Sequence, residues 1–341
     1  MPKATKLPSG NWRVRVYTHT TADGKPHYKS FTGKTKKEAE RKGALYTHVE
    51  SKEEMSTLRE AMEDYIEIKR NTLSPSTIKG YSGMVRGNVY ELIENKRLAN
   101  LKMTDVQKWV NTYSVNHSSK TVHNAHGFLS AVLKLYKPDM ILTTRLPSRE
   151  PISYHVPTNQ EIHDLVRFCE QYDVELLKAV YLASYGTLRR SEICALKSSD
   201  LKGSILHVSR ALVKNEKGEY IEKTTKTLSS DRYVELPEFV VEILPKSGKL
   251  VKLTPDALTK HFIQALNVIG LSKQFRFHDL RHYSASIMHA LGIPDQYIMS
   301  RGGWKSDKVL KQVYRGTMDD YTQKFNHVIN QAFFELQNSE T

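Results

Sequence analysis

Cysteine is nearly absent from this chain. Cys169 and Cys194 are the only two in 341 residues, and each stands alone in an apolar helical pattern, without a C-x-x-C or a cluster of partners. That argues against a disulfide framework or a zinc site and predicts two buried thiols of a reducing cytoplasm. Long apolar runs are missing too: nowhere do about 18 apolar residues follow one another, and the opening MPKATKLPSG has no apolar stretch of the signal-peptide kind. The expectation is a soluble, cytoplasmic protein with no membrane association. Acidic residues are the third shortage. Against 51 Lys and Arg stand 37 Asp and Glu, a net charge of +14 with an isoelectric point near 9.5, and such an excess favours a polyanionic partner. With 39% hydrophobic residues, the length suits two or three domains with real cores.

The positive charge is concentrated at the start. Residues 1–50 hold eleven Lys or Arg and four Asp or Glu, so half of the net charge lies there. A localised excess marks a binding footprint, whereas a spread one only aids solubility. Within this block Trp12, Val14 and Val16 alternate with Arg13, Arg15 and Tyr17, which predicts a strand with one packing face and one basic, aromatic face. The turn at residues 22–26 leads to a second strand around His27–Phe31, and Thr35-Lys36-Lys37-Glu38 reads as a capping box opening a helix. Residues 1–52 are therefore expected to form a small three-stranded sheet backed by one helix.

Residues 56–145 read as helical throughout. Thr57-Leu58-Arg59-Glu60 is a capping box before the stripe Leu58, Ala61, Met62, Tyr65 and Ile66. Ser74-Pro75 starts a second helix, Thr104 to Gln107 a third, and Val122, Ala125, Leu129, Val132, Leu133 and Tyr136 mark a fourth. Pro138, Pro147 and Pro151 make residues 137–156 the candidate linker.

The third block, 153–341, carries the chemistry-bearing motifs. A capping box at Thr158–Glu161 opens it, and an apolar helix through Leu176 and Val180 delivers Tyr185-Gly186-Thr187-Leu188-Arg189-Arg190-Ser191-Glu192. Residues 204–237 alternate in strand fashion with turns at Asn215–Gly218 and Ser229–Asp231. Then come Phe275-Arg276-Phe277-His278-Asp279-Leu280-Arg281-His282, Gly302-Gly303-Trp304 and Tyr314. His278 and Arg281, three positions apart, point the same way from a helix and can touch one anion. A tyrosine downstream can attack that anion if it is a phosphodiester.

These motifs resemble those of the tyrosine recombinase (phage and conjugative-transposon integrase) family, over essentially the whole chain. The resemblance implies a multidomain α+β fold: an arm-type DNA-binding domain at 1–52 with Arg13, Arg15 and Tyr17 on DNA, a helical core-binding bundle at 56–145, and a mixed, mainly α catalytic domain with a β-hairpin at 153–341. It also implies Arg189 as the first phosphate ligand, with Arg190 the competitor because Thr187 displaces the glycine of the usual Gly-Leu-Arg-x-Ser-Glu. Lys226 becomes the hairpin lysine, with Lys223 as its rival, and Trp304 replaces the commoner histidine beside His278 and Arg281. Tyr314 becomes the nucleophile, with Tyr297 and Tyr321 as rivals. An amphipathic helix through Tyr321, Phe325, Val328, Ile329, Ala332 and Leu336 would dock on a neighbouring protomer.

The implied activity is cutting and rejoining core- and arm-type attachment-site DNA through a 3′-phosphotyrosine and a four-way junction. A homotetramer on the bacterial nucleoid would do this without metal, ATP or other cofactor, with a host DNA-bending protein and an excisionase as candidate partners. A type IB topoisomerase-like nicking-closing enzyme and a non-catalytic DNA-binding protein stay open as alternatives. The residue types suit the chemistry. Two planar guanidiniums grip non-bridging oxygens and stay charged. A cation about 4 Å from the tyrosine, at an effective dielectric of about 20, supplies roughly 4 kcal/mol, close to three units of its pKa of about 10. Lys226 would protonate the departing 5′ oxygen and His278 would assist proton transfer at Tyr314.

Overall fold

Three antiparallel strands, β1 (Thr5–Lys6), β2 (Trp12–Thr20) and β3 (Pro26–Gly33), form a sheet in that order. The expected alternation is present: Val14 and Val16 are buried with Ala4 and Ala39 in a small core, while Arg15 and Tyr17 lie exposed on the opposite face. Helix α1 (Lys36–Met55) packs on the buried face. Its start departs from a full capping box. The Glu38 amide donates to Thr35 Oγ1 (3.2 Å), but the Glu38 carboxylate accepts from the Lys34 amide (2.9 Å), one residue before the cap.

This computed structural model describes residues 3–20, 25–149, 155–224, 231–271, 275–306 and 330–331. They belong to two compact units, Met1–Glu150 and Pro151–Thr341. The first unit contains two apolar cores, the small one under the sheet and a larger one inside a bundle of α2 (Leu58–Lys69), α3 (Pro75–Arg86), α4 (Met103–Val115) and α5 (Ser119–Tyr136). Leu45 of α1 packs against the bundle core. Thr57 caps α2 with a reciprocal Glu60 bond, and Ser74 caps α3 ahead of Pro75. The third helix begins earlier than its sequence suggests because the Asp105 carboxylate captures the Lys102 amide at 3.0 Å, drawing the first turn back. The linker is also tethered at its start. Gln107 bonds both the amide and the carbonyl of Arg145, and Ser119 and His123 both donate to the Pro147 carbonyl.

In the second unit α6 (Asn159–Tyr172) opens on the Thr158–Glu161 capping box, and α7 (Val174–Ser184) follows. Helix α7 is apolar nearly all round and sits at the centre, as a helix without a polar face must. The short α8 (Arg190–Ile193) leads to β4 (Leu201–Lys202), β5 (Ile205–Val208), a hairpin of β6 (Arg210–Lys214) and β7 (Tyr220–Thr224), and β8 (Arg232–Glu235). Strands β4, β5 and β8 form one antiparallel sheet and β6 and β7 another. Helices α9 (Glu238–Glu242), α10 (Pro255–Val268), α11 (Asp279–Ala290) and α12 (Asp295–Gly302) complete the unit, with α6, α8, α9, α10 and α11 all against α7. Cys169 and Cys194 are both free and buried there, and burial pushes their thiols up to about 12. Among the described residues no helix is long and apolar enough to cross a membrane.

Gly43 marks the contact of α1 with the sheet, since a Cβ there would lie 2.6 Å from Val14 Cγ1. Gly43→Ala should therefore cost about 1–3 kcal/mol of overpacking. Gly80→Ala on α3, where a Cβ meets nothing within 4 Å, should be neutral or stabilising by up to about 1 kcal/mol. Chemical unfolding of the two variants checks this, and equal stability would contradict the packing described.

Candidate active site

Helix α7 ends at Ser184, and the turn that follows stores strain. Thr187 has φ +61° and is fully buried, a backbone region that costs a β-branched residue on the order of 1–3 kcal/mol. The return is a fixed geometry. Thr187 Oγ1 lies 3.0 Å from Ser284 Oγ on α11, and the Thr187 carbonyl accepts from Arg281 Nη1. The inserted residue thus joins the first-arginine turn to the helix that carries the second arginine.

Arg189 follows at the N-cap of α8. Its amide donates to Glu192 Oε2 (2.9 Å), its Nη1 to Glu192 Oε1 (2.6 Å) and its Nη2 to the Gly303 carbonyl (2.9 Å). About a third of its side chain stays accessible at 32%. Arg190 instead bonds Thr259 on α10. Only Arg189 of the two therefore stands beside the Gly303–Trp304 segment. The opposite flank of Glu192 is held by Arg232 at the start of β8, whose Nη1 and Nη2 reach Oε1 and Oε2 at 3.2 and 2.9 Å while Nε donates to the Arg301 carbonyl at 2.7 Å. Burial alone would raise the Glu192 pKa, but bonding to Arg232 and the charges of Arg232 and Arg189 outweigh it and hold it below the ordinary value.

Arg281 is 1% exposed. Its Cζ lies 3.8 Å from the Trp304 ring centroid, a cation–π contact. Beyond the bond to Thr187, its Nε and Nη2 have no hydrogen-bond partner among the described residues. Burial, then the Arg189 charge, disfavours the guanidinium cation. Arginine does not deprotonate in proteins, so the group is a buried cation with two donors unspent, and an anion is the ligand that offsets its cost. Trp304 reaches it through two glycines. A Cβ on Gly302 would lie 2.0 Å from Trp304 Cζ3, and Gly303 ends α12 in the left-handed region at φ +68°.

His278 stands just before α11 with its ring reaching solvent. Despite that access, the dense surroundings first, then the charge of Arg281, push its pKa down to about 4. His282, buried at 4% exposure, meets it edge-on with ring centroids 5.0 Å apart. Burial, then His278, pushes His282 to about 4 as well. Both rings are thus neutral near pH 7.

The sequence-derived residues Arg189, His278, Arg281 and Trp304 are thus brought together. Lys226 and Tyr314 lie outside the described residues, as do Tyr321 and nearly all of the tail helix. Lys223 is on β7 opposite Ala211, and Tyr297 is exposed on α12. In the first unit Arg13, Arg15 and Tyr17 oppose Thr32, Ser30 and Tyr28 across β2 and β3, and Tyr17 meets Tyr28 edge-on at 6.0 Å. Sequence reading missed Arg232 and His282. Arg232 closes a strand pattern like any surface arginine, and His282 follows Arg281 with no spacing of its own to flag it. Among the described residues no group of three or more His, Cys, Asp or Glu is placed to hold a metal ion.

The buried His282 yields a pH dependence with a definite sign. Between its folded value of about 4 and an unfolded value of about 6.5 the unfolded chain binds more protons, so stability is full above that window and declines as pH falls through it. The loss approaches roughly 3 kcal/mol. Thermal unfolding from pH 7.5 to 4.5 should show the decline, and His282→Gln should lessen it, the like shift of His278 supplying part of what is left. An equal decline in both proteins would remove His282 as the cause.

A sequence profile of the phage integrase family matches residues 156–320, and one for the phage integrase N-terminal SAM-like domain matches residues 57–114. A relative described as "Tyrosine recombinase XerC-like", from Caldanaerobacter subterraneus subsp. tengcongensis, is 24% identical over 94% of this chain and 96% of its own length. Among solved structures, the Tn1549 transposon integrase with transposon right end DNA superimposes with a TM-score of 0.63 at 16% identity, covering 80% of this chain and 99% of that one. A lambda integrase tetramer bound to a Holliday junction gives a TM-score of 0.58 at 17% identity, covering 92% and 94%. With both of its units matched in this way, the chain belongs to the phage integrase family of tyrosine recombinases.

Proposed function

We propose that the protein is a site-specific DNA recombinase that cuts and rejoins attachment-site DNA to integrate or excise a mobile element. The observation that carries the reading is the convergence of Arg189 and Arg281, with unspent guanidinium donors buried under Trp304 and a neutral His278 alongside. Such a corner suits a phosphodiester, whose reaction requires placement and neutralisation of the charge growing on its non-bridging oxygens. Tyr314, ten residues after Trp304 in sequence, is the nucleophile of this proposal. Its attack on phosphorus forms a phosphotyrosine and breaks the bond to the 5′ oxygen, which Lys226 protonates while His278 takes the tyrosine proton. The ester retains the bond energy, so rejoining is the same steps reversed, and neither ATP nor a metal is required by this scheme.

The proposal extends to assembly. The relatives solved on DNA include a tetramer on a Holliday junction, and the same assembly around a four-way junction is proposed here, with the tail helix after Tyr314 linking protomers. Division of the first unit into an arm reader at 1–52 and a core-binding bundle at 56–145 is supported by its two apolar cores. The exposed face of Arg15 and Tyr17, with Arg13 beside them, has the charge and aromatic content to read a groove. A host DNA-bending protein and an excisionase would bring arm and core sites together, on the nucleoid of the cell.

Tyr314→Phe tests the core of the proposal. On a nicked suicide substrate the variant should bind core-site DNA within a few-fold of wild type and give no protein–DNA adduct, whereas the wild type accumulates one. An adduct of normal yield from Tyr314→Phe, or one mapped to Tyr297 or Tyr321, assigns the nucleophile elsewhere. No adduct from the wild type would remove the enzyme reading.

A further inference from the structure

Glu192 lies between two arginines of unlike exposure. Arg232 is buried at 5% side-chain exposure and bonded through both ends of its fork, whereas Arg189 faces outward at 32%. The carboxylate poses an electrostatic problem. It fixes the Arg189 guanidinium at 2.6 Å, yet a carboxylate so close would cancel the positive charge that a phosphate needs to see. A pair of Arg189 and Glu192 alone is neutral, and the triad of Arg189, Glu192 and Arg232 carries +1. Each of the three guanidinium nitrogens of Arg232 donates to Glu192 or to the Arg301 carbonyl, and its side chain is 5% exposed, a placement that suits holding Glu192 rather than meeting a ligand.

The same side chain links the elements around the site. Through Nε it holds the last turn of α12, directly before Gly303 and Trp304. Arg301 in turn donates from Nη2 to the carbonyls of Tyr185 and Glu235, the turn before Arg189 and the end of β8. Arg232 is also the second residue after the stretch 225–230 that contains Lys226.

From this geometry we propose that Arg232 is a positioning residue for strand cleavage: by neutralising Glu192 it lets that carboxylate orient Arg189 without discharging it, and it anchors α12 to strand β8. The inference rests on Arg189 being a phosphate ligand. It separates two tasks in one site, with a buried arginine supplying compensation and an exposed one supplying contact. A purely structural ion pair would have no reason to share its carboxylate with the contact arginine.

Single-turnover cleavage of a nicked core-site substrate, alongside DNA affinity and melting temperature, tests the assignment in the full chain. Arg232→Met should slow cleavage by about 100-fold, as expected when a charge contact on the reacting phosphate is lost, with DNA affinity within a few-fold of wild type. Adding Glu192→Gln removes the uncompensated carboxylate and restores +1 at Arg189, so the double variant should recover about tenfold or more of the lost rate. Arg232→Lys keeps the charge with fewer bonds and should stay within about tenfold of wild type. Should Arg232→Met fail to fold, Arg232→Lys and the double variant carry the comparison against Glu192→Gln alone. The inference is overturned if Arg232→Met cleaves within threefold of wild type, or if the double variant is no faster than Arg232→Met, or, where that single variant does not fold, if the double variant is more than about tenfold slower than Glu192→Gln alone. Arg189→Ala cleaving like wild type would instead remove the phosphate-ligand reading beneath it.

Discussion

Arg281 is buried to 1% exposure, rests on the face of Trp304 and, among the described residues, has one hydrogen-bond partner, the Thr187 carbonyl. A cation so placed is expensive in the free protein, and several features around it can be traced to holding it there. Thr187 accepts a left-handed backbone to present its carbonyl, and Gly302 gives up a side chain so that the indole can lie flat. The strain of the site is thus distributed over Thr187 and the two glycines beside Trp304. Binding of a phosphate would supply the missing counter-charge, which couples substrate binding to completion of the site.

The electrostatics of the corner are graded. Arg281 is hidden and under-satisfied, Arg189 is accessible and braced, and Arg232 is hidden and bonded through all three of its nitrogens. His278, held neutral by its dense surroundings and by Arg281, adds no further charge near neutral pH. The corner therefore concentrates positive charge on the guanidiniums, which cannot release protons, and leaves proton traffic to groups that can.

Much of this was legible in the chain itself, for local reasons. The capping boxes at Thr57 and Thr158 involve partners three residues apart, and the alternation of Val14 and Val16 with Arg15 and Tyr17 is a period-two pattern. Arg281 and His278 were readable together because His278, the N-cap residue of α11, keeps helical backbone angles (φ −67°, ψ −24°) and so stays in register with Arg281. Arg232 was not, because its meaning depends on Glu192, forty residues earlier, and on a carbonyl at residue 301. The choice between Arg189 and Arg190 was open in sequence, where an inserted Thr187 blurred the register. In the fold the left-handed turn at 187 absorbs the insertion, and Arg190 is drawn to Thr259. Tethering of the linker by Gln107, Ser119 and His123 was hidden for the same reason, since each bond spans more than twenty residues.

The central claim is that buried guanidinium charge, supplied at Arg281, is what the reacting phosphate meets. The most direct measurement compares single-turnover cleavage of an ordinary core-site phosphodiester with that of a methylphosphonate at the same scissile position, in which one charged oxygen is replaced by a methyl group. Arg281→Ala should lose cleavage of the phosphodiester by about 1,000-fold or more while losing far less on the methylphosphonate, because the neutral linkage develops less negative charge. Equal losses on the two substrates would contradict the account and leave Arg281 as a structural cation beneath Trp304.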